Sequence, residues 1–280
     1  MATIEQIKSL RDATGIGMKD CQKALAEAND DMELAIANLR KSGLAAAIKK
    51  QSRETNEGVI VTAENNDRIA IVEVNAETDF VVKNERFGQF TREIVEEAAK
   101  TNPSSLENFL HQKYSKDPSM SIDEYRALIV QTIGENIQIS RVRIIPKASD
   151  KSVGVYSHLG GKIVVAVELE GDADQIALAK DIAMHAAASS PSFLSPKAVS
   201  SDVIEKERDI AKGQVIGKPE NIIDKIVDGK LQAYYKENCL SEQPYIKDEK
   251  RSVSEVIADK GKEIKKNLVL SNFVRWAVGA

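Results

Sequence analysis

Apolar residues recur at helical steps along the first forty positions. Ile4, Ile7 and Leu10 share one face of a short helix, which Thr14-Gly15-Ile16-Gly17 interrupts. Met18, Cys21, Leu25 and Ala28 follow at three- and four-residue steps and predict a second helix. Asn29 to Asp31 offer capping side chains for a third, whose stripe is Met32, Ala35, Ile36 and Leu39, with Gly43 placed to end it. The expectation over 1–43 is a small three-helix head, which buries little by itself and suits recognition better than catalysis. The stretch 44–57 has few large apolar residues and many charges, and reads as a helical or flexible linker.

Beyond it the period shortens. GVIVTAENNDRIAIVEV (58–74) and GVYSHLGGKIVVAVEL (154–169) each read as two strands around a polar turn. A helix follows each, FTREIVEEAA (90–99) and LAKDIAMHAA (178–187), so the middle of the chain is an internal repeat. Glu73 matches Glu168 at an offset of 95 and Ile94 matches Ile182 at 88, so the first copy carries 7 extra residues between strand and helix. Those extra residues hold Thr78, Asp79, Phe80, Val81 and Val82. The second copy closes its hairpin–helix unit without them, and an insertion of this kind runs over the surface. Leaving Phe80 in water forgoes roughly 1.5–3 kcal/mol of burial, which a partner would recover. Two readings remain open: a docking loop, or a ring folded back to plug the edge of its own core.

A helix at 122–135 and the strand IQISRVRIIP (137–146) complete an α+β pattern of helices packed on antiparallel strands. The expected core halves are 58–139 and 140–196. From 197 to 240 the pattern is a projecting helical hairpin: Val203, Glu207 and Ile210 precede GQVIGKP (213–219). Pro219 then opens a helix striped by Ile223, Ile226, Val227, Leu231 and Tyr234. This arm reads either as ordinary packing on the core or as a surface for self-association or a partner. The segment 241–280 ends in NLVLSNFVRWAVG, a strand with Leu268, Leu270, Val274, Trp276 and Val278 roughly on one face, expected to return to the second half-sheet.

Composition narrows the function. The 280 residues are 42% hydrophobic and 29% charged with a net charge of −4, so there is room for two or three modest domains and no basic field for nucleic acid. No run approaches the roughly 18 apolar residues that span a bilayer, and the N-terminus lacks a secretory pattern, so a cytoplasmic protein is expected. Cys21 and Cys239 lie far apart and read as free thiols. GQVIGKP has three residues between its glycines, not the four of a P-loop, and Pro219 stands where Ser or Thr must hold Mg²⁺. The Gly160-Gly161 pair reads as a hairpin turn, His185 as a packed histidine, and His158 as an exposed one beside that turn. With no metal-ligand spacing and no nucleophile–base arrangement visible, neither catalytic residues, nor a metal, nor a cofactor is expected.

The motifs together resemble the bacterial elongation factor Ts family. LRDATGIGMKDCQKALAEANDDMELAIANLR (10–40) is similar to that family's ubiquitin-associated-like (UBA-like) head, and NAETDFVVKNERF (75–87) to its core docking segment. AMHAAASSPSFLSP (183–196) and GKPENIIDKIVDGKL (217–231) follow in order, so the resemblance spans nearly the whole chain. It implies a guanine-nucleotide exchange factor that binds elongation factor Tu, GDP-bound and nucleotide-free. Asp79 and Phe80 are implied to enter that partner's nucleotide domain near its Mg²⁺, with Thr78, Val81 and Val82 in the same segment. Arg11, Met18 and Lys19 are implied to contact a helix of the same domain; Lys19 stands where some members carry a second Met. The surface around His158 and Gly160 is implied to dock on the partner's third domain, and the last segment to return to the nucleotide domain. Two other readings stand beside this one. In the first, a protein-binding adaptor without exchange activity is built on the UBA-like head. In the second, a small-molecule enzyme has its site between the duplicated halves.

Overall fold

A computed structural model describes residues 2–214 and 220–280. The chain forms two compact units. The first holds the residues up to Pro146 together with Gly160–Lys162 and Ala277–Ala280; the second holds Lys147–Leu159 and Ile163–Trp276.

The first unit opens with α1 (Ile4–Thr14), α2 (Met18–Glu27) and α3 (Met32–Lys50). A reciprocal cap starts α1: Thr3 accepts from the Gln6 amide, and the Thr3 amide donates to the Gln6 side chain at 2.9 Å. Asp31 caps α3 by accepting from the Leu34 amide at 3.0 Å. Ile7, Leu10, Cys21, Leu25, Ala35 and Leu39 are buried as the stripes predict, but Ile4 and Met18 are exposed. Gly43 does not end α3, which runs on for 19 residues. A Cβ at Gly43 would lie 3.0 Å from Gln131 Oε1 and 3.4 Å from Leu128 Cδ2, so the missing side chain lets α3 approach a later helix closely. The linker expected over 44–57 is therefore helical through Lys50, and the head shares one continuous core with the sheet that follows.

That sheet begins with β1 (Glu57–Glu64) and β2 (Arg68–Ala76). The chain continues through α4 (Asp79–Val82), α5 (Glu85–Thr101), α6 (Leu106–His111), β3 (Lys113–Tyr114), β4 (Asp117–Ser121) and α7 (Ile122–Ile133) to β5 (Ile137–Pro146). The strands β1, β2 and β5 pair antiparallel in that order. Phe87, Phe90 and Ile94 of α5 and Leu128 and Ile129 of α7 are buried in the core with Val72 and Val74 of β2. The half boundary expected at 139/140 falls inside β5, which pairs along its length with β2, so the first half extends through Pro146. Gly161 also packs here: it accepts from the Ile60 amide at 2.8 Å, and its φ of +92° with Ile60 O 2.6 Å from any Cβ leaves room only for glycine. Glu73 is buried and ion-paired to Arg141, whose Nε donates at 2.7 Å, and it also accepts from the Gly279 amide at 3.2 Å.

The second unit repeats the plan. Here β6 (Lys151–His158) and β7 (Ile163–Glu170) form a hairpin, then come α8 (Ile176–Ser189), α9 (Ser201–Gly213) and α10 (Glu220–Asn238). They lead to β8 (Pro244–Tyr245), β9 (Asp248–Ser252), α11 (Val253–Ile264) and β10 (Val269–Ala277). The sheet order β6, β7, β10 matches β1, β2, β5, and β10 lies beside β7, where the sequence placed it. The helices α9 and α10 pack together, with Arg208 and Asp228 paired at 3.2 Å and Val227 and Leu231 buried. Residues 215–219 of the expected turn, Pro219 among them, lie outside the described residues.

The duplication goes further than hairpin plus helix. Tyr114, Asp117, Ser121 and Glu124 recur as Tyr245, Asp248, Ser252 and Glu255 at one constant offset. In both copies the Tyr pairs with the Asp across a short two-stranded ladder, and the Ser and Glu form a capping box that starts α7 or α11. His185 is fully buried: its Nδ1 accepts from the Ile246 amide at 3.2 Å, which leaves Nε2 to donate to Gln243 Oε1 at 3.0 Å. Burial pushes its pKa below the usual histidine value. Cys21 and Cys239 are free and buried, and burial pushes the Cys239 thiol up to about 11.

Candidate partner-binding site

Between β2 and α5 the first copy carries α4, a single four-residue turn, where the second copy has a plain connector. Thr78 is its N-cap, with its hydroxyl accepting from the Val81 amide at 3.4 Å, and Asn84 caps the next helix by accepting from the Arg86 amide at 2.8 Å. The turn directs adjacent side chains oppositely. Phe80 is 80% exposed, the most exposed of the large apolar residues described, while Val81 is 7% exposed and joins the core. The ring is not folded back onto its own core but stands outward. Val81, expected at the partner surface, is instead an inward anchor, because a four-residue helix needs tertiary packing to persist. Val82 is partly buried against the same core.

Asp79 and Lys83 face each other one turn apart, Nζ to Oδ2 at 2.7 Å, both exposed. The Lys83 ammonium bonded to it holds the Asp79 carboxyl below the usual carboxylate range. Thr78 is tied at its other side to Glu135, a residue that no local pattern singles out: the Thr78 amide donates to Oε2 at 3.1 Å and its hydroxyl to Oε1 at 2.9 Å.

Arg11, Met18 and Lys19 are exposed and cluster at the α1–α2 turn. Arg11 pairs with its neighbour Asp12 at 2.9 Å. Ile16, between them, is buried and sets the turn. A Cβ on Gly15 would meet the Arg86 guanidinium at 3.1 Å, so this turn lies beside the start of α5, just after α4. The head cluster and Phe80 thus belong to the same unit.

On the β6–β7 turn His158 is exposed, with its Nδ1 3.1 Å from the Tyr156 hydroxyl, and Gly160 adopts a φ of +64° with open space where a Cβ would point. Leu159 between them is 71% exposed. Sequence reasoning passed over it, although an apolar residue inside a polar turn was the available signal. Among the described residues no group of His, Cys, Asp or Glu is arranged to hold a metal. None of their helices is long and apolar enough to cross a membrane.

Comparison with known proteins gives a consistent answer. A family profile described as Elongation factor TS matches residues 77–280. Elongation factor Ts of Protochlamydia amoebophila is 59% identical over 273 residues, covering 98% of this chain and 97% of that protein. Those of Chlamydia caviae and Chlamydia muridarum are 43% and 44% identical over 278 residues, covering 99% of each chain. The matches define a translation elongation factor, one of the proteins of protein biosynthesis. The chain belongs to the elongation factor Ts family.

Proposed function

We propose that this chain binds elongation factor Tu in the cytoplasm and promotes release of its GDP without covalent chemistry, with Phe80 as the wedge. One observation carries the reading: an aromatic side chain 80% exposed on a turn whose neighbour is locked into the core. A GTPase holds GDP through backbone amides of its phosphate loop and a Mg²⁺ ion that neutralises phosphate charge. A ring inserted among the helices around that ion displaces both. Burying Phe80 in the partner recovers its hydrophobic free energy, roughly 1.5–3 kcal/mol, and so favours the disturbed state. Asp79 adds negative charge beside the phosphate side, or secures the adjoining backbone.

The exposed cluster Arg11, Met18 and Lys19 and the turn bearing His158 and Gly160 hold the partner while the wedge is in place. The coupling is reciprocal: the factor weakens GDP and GDP weakens the factor, tenfold for each ~1.4 kcal/mol. Incoming GTP then displaces the factor. Stopped-flow release of a fluorescent GDP from elongation factor Tu tests this. Phe80→Ala is expected to slow release at unchanged fold, and wild-type release by that variant overturns the wedge.

A further inference from the structure

We infer that Glu135 is a positioning residue that sets the pose of Phe80, an inference that rests on the wedge reading above. The four-residue α4 is far below the length at which a helix holds itself together. Its orientation must come from outside. Val81 supplies one anchor, on the inward side. Apolar packing at Val81 and the partly buried Val82 is non-directional and leaves the turn room to rock and to swing Phe80 with it.

The second anchor is Glu135. Both of its carboxylate oxygens are engaged by Thr78, one by the amide at 3.1 Å and one by the hydroxyl at 2.9 Å. Such paired bonds to a charged acceptor are stronger and more directional than neutral ones. The neighbouring residues return the exchange: Glu77 Oε1 accepts from the Asn136 amide at 2.6 Å and from Arg53 Nη1 at 3.3 Å. Two consecutive residues before α4 thus trade carboxylate–amide bonds with two consecutive residues after α7. Thr78 is also the N-cap of α4, so the group that Glu135 holds is the one that starts the helix carrying Phe80. The second copy has no α4, and at the matching place its connector carries an ion pair, Lys266 Nζ to Asp172 Oδ1 at 2.6 Å. A tie from the connector to the residues just after α7 or α11 is thus common to both copies, and only in the first does it act on a residue that caps an inserted turn.

The test is GDP release from elongation factor Tu across a range of factor concentrations, with a double-mutant cycle. Glu135→Ala is expected to lower the release rate at saturating factor roughly three- to tenfold. The half-saturating concentration should change by less than about twofold, because the head and the β6–β7 turn set docking. Glu135→Gln, which keeps an acceptor for the Thr78 amide, should retain more of the rate than Glu135→Ala. In a Phe80→Ala background, Glu135→Ala should add nothing, since its effect passes through the ring.

If Glu135→Ala releases GDP as the wild type does while Phe80→Ala is slow, the positioning role fails and the wedge stands. An equal slowing by Glu135→Ala with and without Phe80 also overturns the role, because the carboxylate then acts on folding or docking at large. Wild-type release by Phe80→Ala removes the wedge itself. Thr78→Val, which deletes the hydroxyl half of the clamp, gives the same comparisons if Glu135→Ala does not fold.

Discussion

Phe80 and Val81 are neighbours in sequence and opposites in space: one is 80% exposed, the other 7%. Stability and activity should therefore separate at this pair. Phe80→Ala is expected to leave the urea midpoint within the change typical of surface substitutions, about 0.5 kcal/mol, while slowing GDP release. Val81→Ala removes buried methyl groups and should cost about 1–2 kcal/mol. Chemical denaturation of both variants, paired with the release assay, checks the division. A Phe80→Ala protein as destabilised as Val81→Ala contradicts the outward placement of the ring.

Gly43 lies where α3 meets α7, with Gln131 and Leu128 inside normal contact range of any added Cβ. Gly43→Leu should force the two helices apart and cost about 1–3 kcal/mol, as overpacking does. Hydrogen exchange should show the loosening in α3 and α7 together. Exchange that changes only in residues 4–39 would mean that the head is an independent body after all.

Arg141 neutralises the buried Glu73. Arg141→Met should leave that carboxylate uncompensated and destabilise by about 3–5 kcal/mol. The double variant Glu73→Gln with Arg141→Met removes the stranded charge and should be more stable than Arg141→Met alone. Thermal melts of the wild type, Glu73→Gln, Arg141→Met and the double variant decide it; additive losses would show that the pair is not coupled.

His185 makes the second unit sensitive to acid. Its folded pKa lies below the usual value of 6.5 because it is buried. The unfolded chain therefore takes up the proton first as pH falls. The stability contributed by the neutral ring is complete above about pH 6.5 and is lost as pH falls below it, toward the folded pKa. Denaturation midpoints from pH 8 to pH 5 should fall more steeply for the wild type than for His185→Asn, which cannot titrate. Parallel profiles would place the acid sensitivity elsewhere.

The strands β2, β5 and β7 were legible because apolar residues alternate or run together over eight or more positions. The end of α3 was misplaced because its inner face after Leu39 is built from Gly43 and Ala47, small residues that look like a stop or a tether until a second helix is laid against them. The ladders β3–β4 and β8–β9 escaped because strands as short as two residues carry no period. Their signal was the repeated Tyr, Asp, Ser and Glu spacing instead. At the site, the inserted turn was visible from the repeat. The split between Phe80 and Val81 depends on α4 being helical. The grip of Glu135 on Thr78 spans 57 positions, a separation that local pattern does not reach.

The unbroken α3, 19 residues long, is about 28 Å from end to end. It lies along α7, whose far end delivers Glu135 to Thr78. The turn bearing Arg11, Met18 and Lys19 and the turn bearing Phe80 are thus carried by one packed body, and folding alone sets the spacing between them. For the proposed exchange role, a partner held at the head would meet Phe80 at a distance already set by the fold.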